Sequence, residues 1–546
     1  MNTNFFSYWQ RDLPASVVVF FVALPLCLGI ALASGAPLFS GLIAGIVGGI
    51  IVGLLSGSQI GVSGPAAGLA AIVVVAIGDL GGYQNFLVAV VIGGLIQIGF
   101  GIAKAGVIGY YFPASVIKGM LTGIGIFIIL KQIEFFFGIE KTAEGDWAFM
   151  QGDGETIFSH MMGIFDHINY GATLIAFISL GILILWSSVL SKQGKFFQLV
   201  QGPLVAVVVG IIFYRLTKDS ETLGITAEHL VNVPVPEDFS SFLGQFSSPN
   251  WAVIKDYNVW ITGFTIALVA SLETLLCVEA TDKLDPGKRV TPTNRELLAQ
   301  GTGNMVSGFI GGLPITQVIV RSSANVQSGG YSKLSAVFHG FLLVGSVLFI
   351  PVLLNQIPLS VLAAVLMIVG YKLAKPSTFK SIYNSGWKQF IPFIVTVLGI
   401  IFTNLLLGIA LGLAVAVVII LYKSYQNSHF LHIEDKSSDR HTIRMTLAEE
   451  VTFFNKAAIL RELDLLEEGT LLELDVRATR YLDYDVIEIL EDYAVKAKER
   501  GIDISIIADY GNVVNPDSYI DFFEKARIKA ANVEANRESK VPQKAD

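Results

Sequence analysis

GGLPITQVIVRSSANVQSGG, residues 311–330, is the stretch that decides how this chain is read. It lies between two long apolar runs, yet Gly and Pro interrupt it too often for a membrane-crossing helix, which needs about 20 mostly apolar residues. A turn at Gly311-Gly312-Leu313-Pro314, followed by a short helix from about Ile315, would instead start a half-helix partway through a bilayer. The positive end of that helix is then left free, and its unpaired N–H groups attract anions. Arg321 adds a full charge close to it.

A counterpart stands in the first half of the chain. Gly61-Val62-Ser63-Gly64-Pro65-Ala66-Ala67-Gly68 leads into the apolar run 69–77, which is again too short to span. Interrupted segments at corresponding places in two halves point to a midplane binding site in an inverted-repeat transporter.

Composition agrees with a membrane location. Of 546 residues, 53% are hydrophobic and 15% charged, and the mean hydropathy is +0.62; ordinary soluble domains carry about 25% charge. The 54 glycines suit closely packed membrane helices. Cys27 and Cys277 both fall in apolar spans, so core packing is their expected role and no disulfide framework is indicated. The start of the chain, MNTNFFSYWQRDLPASVVVF, lacks a basic region and a small-residue cleavage site, and the first apolar run reads as a retained helix. A net charge of -8 with no basic stripe argues against a nucleic-acid partner.

Apolar runs predict spans at 13–34, 37–56, a half-helix near 65–78, 84–103, 114–137, 171–190, 201–217, 259–279, 296–310, a half-helix near 315–328, 334–354, 358–373, 389–404 and 406–427. The fold class expected is thus an all-α polytopic membrane protein of fourteen segments, a 7+7 inverted repeat with two half-helices. With the N-terminus inside, the short outer loops 34–40, 78–85, 311–314, 355–358 and 403–407 hold no Lys or Arg. The inner connections carry Lys104, Lys192, Lys195, Lys283, Lys288, Arg289, Arg295, Lys333, Lys372, Lys375, Lys380, Lys388 and Lys423. That split places both termini in the cytoplasm and the protein in the cell membrane. The long outer loops 138–170 and 218–258 are richer in acids and show no chemistry.

After Tyr425 the composition turns soluble. Strands at 441–451, 471–476 and 502–508, with helices at 456–468 and 486–500, predict a small α/β domain with some parallel pairing. The domains expected are a cytoplasmic N-terminus 1–12, a transport domain 13–427, the small domain 428–529 and a disordered tail 530–546.

Glu273 is the outstanding single residue. It sits mid-span in IALVASLETLLCV, where an acid costs several kcal/mol and marks an ion or proton path or a cationic partner. Arg321 is the natural group to meet it, and a plain Glu273–Arg321 bridge is the structural alternative. Pro25 would break or kink the first helix. Asn294, Arg295, Glu296, Gln300 and Asn304 read as interhelical hydrogen bonds at the cytoplasmic end rather than substrate contacts. Lys131 and Glu134 read as an exposed-end ion pair. The histidines show no metal-ligand spacing, and the chain has no Walker A motif or nucleophile elbow, so neither hydrolysis-driven pumping nor enzyme activity is supported.

These stretches together resemble the SulP anion permease family. The matching features are VALPLCLGIALASGAP in the first span, Ser63-Gly64-Pro65, SLETLL around Glu273, NRELLAQGTGN at 294–304 and GGLP…R…GG at 311–330. The part at 441–510 is similar, more weakly, to a STAS domain. The resemblance implies a core domain and a gate domain, an anion held between the facing half-helix starts, and first and eighth spans lining it. Carried over by motif, Ala66 and Ala67 begin the first half-helix, Val320 and Arg321 lie beside the second, Leu26 and Ile30 face the anion, and Glu273 takes the place of the cation-coupling acid.

The sequence departs from that pattern in places. Cys277 stands where sodium-coupled bicarbonate members carry a Thr, which weakens the case for Na+ near Glu273 and favours a proton. Ala66 stands where some members have Thr, leaving more of the binding to backbone N–H groups. The Ser or Thr expected after the STAS aspartate is missing from Tyr481-Leu482-Asp483-Tyr484-Asp485, so a dimerising or trafficking role replaces phosphoswitching. The function expected is secondary transport of a small inorganic anion, sulfate or bicarbonate, coupled to H+ or Na+ by an elevator-like movement, in a homodimer and without cofactors. The alternatives are an anion channel or exchanger, a nucleobase:cation symporter of the same fold, and a membrane anchor presenting the tail.

Overall fold

A computed structural model describes residues 8–107, 113–139, 168–190, 193–194, 197, 200–235, 244–403, 405–426, 429–433, 441–509 and 511–523. The expected disordered tail 530–546, the loop stretches 140–167 and 236–243, most of the N-terminal segment 1–12, and Lys192 and Lys195 lie outside these.

Apolar runs become helices because a backbone in hydrocarbon must satisfy its own N–H and C=O groups. In chain order they are α1 (Trp9–Ala33), α2 (Leu38–Leu55), α3 (Ala67–Asp79), α4 (Tyr83–Ile102), α5 (Ala114–Phe137), α6 (Tyr170–Ser188), α7 (Gly202–Thr217), α8 (Tyr257–Leu284), α9 (Thr293–Phe309), α10 (Ile319–Gln327), α11 (Leu334–Phe349), α12 (Leu359–Leu373), α13 (Trp387–Phe402) and α14 (Leu405–Gln426). Among the described residues, 7 helices are long and apolar enough to cross a membrane: α1, α2, α4, α5, α6, α8 and Leu359–Asn384, which begins with α12. The first part of the chain is thus mostly helical.

Two expectations need correcting. Pro25 does not break the first helix, for α1 runs on to Ala33 with Pro25 inside it. Nor is the membrane part all helix: β1 (Ser63–Pro65) and β2 (Ile315–Gln317) pair as an antiparallel ribbon, and the second half-helix starts at Ile319 rather than Ile315. Each interruption exposes backbone groups where no water can reach them, and pairing the two interruptions satisfies both.

Small residues let the surrounding helices approach closely. On the Gly94–Gly301 contact of α4 and α9, a Cβ at either position would lie 2.7 Å from the other's carbonyl oxygen. A second group, α5, α6, α7, α12 and α13, packs largely within itself, and α1 touches it where a Cβ on Gly29 would meet Leu366 of α12 at 3.0 Å.

Contacts divide the chain into two compact units, Met1–Ala414 and Val415–Asp546. The second holds a five-stranded sheet. Its strands are β3 (His429–Ile433), β4 (Thr442–Leu447), β6 (Leu471–Asp475), β8 (Asp503–Ala508) and β9 (Gly511–Val514), in that spatial order. β4, β6 and β8 run parallel and the two outer pairs antiparallel. The expected strand 441–451 is divided, its end forming β5 (Glu450–Val451) beside β7 (Tyr481–Leu482). Helices α15 (Lys456–Asp464) and α16 (Tyr484–Glu499) bury Ile459, Leu463, Leu490 and Tyr493 against Leu472, Leu474 and Ile506. This small sheet and helix domain agrees with the STAS-like reading.

Candidate functional site

The ribbon is the floor from which the site is built. Ser63 pairs with Gln317, Gly64 with Thr316 and Pro65 with Ile315, so the chain leaves each strand beside the start of the other. The strand exits Pro65 and Gln317 are therefore offset along the ribbon by two residues, about 7 Å at the usual strand rise, and α3 and α10 begin two residues beyond them, at Ala67 and Ile319. Side-chain amides do the work of further strands. Asn304 donates to the Ile315 carbonyl at 3.1 Å and accepts from its N–H at 2.5 Å, and Asn325 donates to the Ile60 carbonyl at 2.9 Å.

Neither half-helix start has a side-chain cap; Ala66 and Val318 occupy the capping positions. The first N–H groups of a helix have no partner within it, so two uncapped starts present donors and positive dipole ends to whatever lies beside them. Val320 is exposed and Ala67 half-buried, while Ala66, Leu26 and Ile30 are buried.

Arg321, the third residue of α10, is only 1% exposed. Its guanidinium donates to Cys27 Sγ on α1 at 3.3 Å, and Nη1 has no hydrogen-bond acceptor. It lies directly behind the ribbon: a Cβ on Gly64 would be 2.1 Å from Nη1, so only glycine fits there. Glu273 on α8, 9% exposed, approaches from elsewhere. Its carboxylate packs against the first turn of α3, where a Cβ on Gly68 would lie 2.6 Å from Oε2, and Oε2 has no hydrogen-bond partner. Cys277, one turn further on, lies beside the Ile319 amide at the start of α10. The one helix α8 thus reaches both half-helix starts.

The suggested meeting of Glu273 with Arg321 does not occur: the two groups serve different neighbours, and no ion pair joins them among the described residues. Cys27, read as core packing, is the acceptor for Arg321. The polar start of α9 does make interhelical bonds as expected. Glu296 accepts from Ser56 Oγ at 2.5 Å and Gly57 N at 3.1 Å, Gln300 donates to Glu296 and to Ser63 Oγ at 2.7 Å, and Asn304 donates to Gln97 at 2.8 Å. Lys131 is not at an exposed end; it is buried, 5.9 Å from the Phe127 ring. Two buried groups were missed. His339, whose Nδ1 lies 2.5 Å from the Ala336 carbonyl oxygen, stands close to the π-helical turn of α2 at Gly49. Gln317 is wholly buried with neither amide atom bonded. Nothing in their local sequence marks them.

Among the described residues, no three His, Cys, Asp or Glu side chains form a metal-holding group. Two cavities, of about 510 Å³ by Trp9 and Phe338 and about 410 Å³ by Asp282 and Arg289, are not lined by the ribbon or the half-helix starts. The site rests instead on its buried, unmatched polar groups.

Residues 9–396 match the profile of the sulfate permease family. The chain is 30% identical over 414 residues to the putative sulfate transporter YvdB of Bacillus subtilis, covering 75% of this chain and 73% of that one. It is 23% identical to the bicarbonate transporter BicA of Picosynechococcus, covering 82% and 76% of the two chains. Its fold superposes on the transmembrane domain of a cyanobacterium bicarbonate transporter BicA with a TM-score of 0.62, 25% identity and coverage of 76% and 98%. It superposes on the murine Solute Carrier 26 family member A9 anion transporter, in the inward-facing state, with a TM-score of 0.74, 16% identity and coverage of 92% and 85%.

Proposed function

We propose, since this chain belongs to the sulfate permease family of membrane anion transporters, that it is a secondary active transporter of sulfate or bicarbonate working through the ribbon site. The observation that carries this reading is Arg321. A guanidinium buried to 1% exposure with no carboxylate paired to it among the described residues is costly unless a negative charge balances it. Arg321 lies in the first turn of α10, whose start is uncapped, and Gly64 beside its guanidinium leads within three residues into the uncapped start of α3; a small anion held by Ala66, Ala67, Val320 and the charge of Arg321 supplies that balance. Leu26 and Ile30 form the apolar wall on α1. Glu273, against the first turn of α3, is the coupling acid. With Cys277 in place of a hydroxyl, it takes up a proton in preference to holding Na+.

The architecture that goes with this function is fourteen segments in an inverted repeat, with both termini cytoplasmic and the protein a homodimer in the cell membrane. α1 to α4 and α8 to α11 move as one body past α5 to α7 and α12 to α14. Replacing Arg321 by Gln keeps hydrogen-bonding capacity and removes the charge. Uptake of labelled sulfate and labelled bicarbonate into proteoliposomes, with and without a sodium or proton gradient, is expected to fall by about 100-fold or more for the true substrate. Retained uptake in this variant refutes the site. Concentrative uptake separates the transporter from a channel. A nucleobase symporter would need acids or amides placed to hydrogen-bond a ring, and buried Arg321 with apolar Leu26 and Ile30 fits an anion better.

A further inference from the structure

The segment that leaves α10 binds three other elements with three consecutive residues. The Tyr331 carbonyl accepts from Arg289 Nη2 at 2.9 Å, and the guanidinium lies 4.5 Å from the centre of the Tyr331 ring. Arg289 follows α8, and its planar fork is set by both oxygens of Asp285, at 2.7 and 2.9 Å. The N–H groups of Tyr331 and Ser332 donate to Asp12 Oδ1 at 2.7 and 3.0 Å, and the Ser332 hydroxyl donates to Asp12 Oδ2. Asp12 is in the first turn of α1 and fully buried. Lys333 Nζ donates to the carbonyl of Ser56, just past α2.

The elements held are those that carry the site. α1 bears Leu26, Cys27 and Ile30, α8 bears Glu273 and Cys277, and α10 bears Arg321. α10 has only nine residues, about 13 Å of stiff rod, so a shift of its far end moves Arg321 and the helix start with it. We infer that Tyr331, Ser332 and Lys333 form a clasp that registers α10 against α1 and α8, and that Arg289 is a positioning residue for anion binding and for its coupling to the cation at Glu273.

This rests on the transport reading above. Arg289 touches no part of the ribbon, so its effect passes through Tyr331. A purely structural strut would lower the amount of folded protein and leave the affinity of each folded molecule unchanged. A positioning clasp shifts affinity in protein that is folded. Lysine keeps the charge beside Asp285 but lacks the planar fork that serves Asp285 and the Tyr331 carbonyl together.

The test uses the full-length protein in proteoliposomes, with labelled sulfate, labelled bicarbonate, and graded sodium and proton concentrations. Arg289→Lys is expected to raise KM for the transported anion about fivefold or more and to shift the half-saturating cation concentration as well, at an unchanged melting temperature. Unchanged KM and cation dependence, with Vmax and melting temperature falling together, overturns the clasp. Should Arg289→Lys not fold, Tyr331→Leu removes the stacked ring while keeping the backbone donors and acceptor. It is expected to raise KM about twofold or more, and an unaltered KM in that folded variant likewise overturns the inference. The two failures are distinguishable. Wild type that takes up neither anion overturns the transport reading itself, whereas uptake lost in Arg321→Gln but unaltered in both clasp variants overturns the clasp alone.

Discussion

At the scale of single residues, the site depends on what is missing beside two charges. Gly64 and Gly68 have no side chains because Arg321 and Glu273 occupy the space, with added Cβ atoms 2.1 Å from Nη1 and 2.6 Å from Oε2. Arg321 cannot swing away, being buried and bonded to Cys27. Gly64→Ala is therefore an overpacking change, which costs about 1–3 kcal/mol in a tight core. It should weaken anion uptake by about tenfold or more while the tail domain keeps its circular dichroism. Glu273→Gln preserves shape and removes the charge. Cation-dependent uptake is expected to disappear while anion exchange across the membrane persists, and coupled uptake at the wild-type level would count against Glu273 as the coupling acid. Glu273 and Arg321 were both visible in the sequence because ionisable groups are rare at membrane depth. Their actual neighbours were not, since Cys27 and Arg321 stand 294 positions apart.

At the scale of elements, the half-helices were legible as interrupted runs, and the ribbon between them was not. Three residues of Ser-Gly-Pro carry no alternation from which a strand could be read, and β2 reads equally as a first helical turn. The ends of α1, α8 and α10 that meet at Tyr331 are tied by charge as well as by backbone. Burial works against the charged form of Asp285, but hydrogen bonds from Arg289 and Gly287 outweigh it and hold the carboxyl below its ordinary 3.8. A depressed folded value means the stabilisation is complete above the unfolded value and is lost only as pH falls through the folded one. The Asp285–Arg289 pair should thus stay formed from about pH 5 to 8, and Asp285→Asn should raise KM by the same factor across that window. A factor that varies with pH there would show that another group controls the clasp.

At the scale of the whole molecule, the chain carries a complete ribbon site in one compact unit and a separate sheet and helix domain in the other. Every residue proposed to hold the anion or the cation lies before 414. Deletion after Gln426 should leave KM for the anion within about twofold of wild type, with any loss falling on the amount of protein in the membrane. A transport rate per folded molecule that collapses would give the tail a direct part in the cycle. By itself the sequence determined the helices, the two interruptions, the place of Glu273 inside a long apolar helix and of Arg321 in an interrupted run, and the α/β character of the tail, because hydrophobic run length, helix breakers and period are local quantities. Only the tertiary structure decided that the interruptions pair as strands, that Arg321 turns to Cys27 and Glu273 to Gly68, and that one short segment grips α1, α2 and the end of α8. Those outcomes depend on which distant backbone and side-chain groups must satisfy one another where water is absent, and no local pattern encodes that.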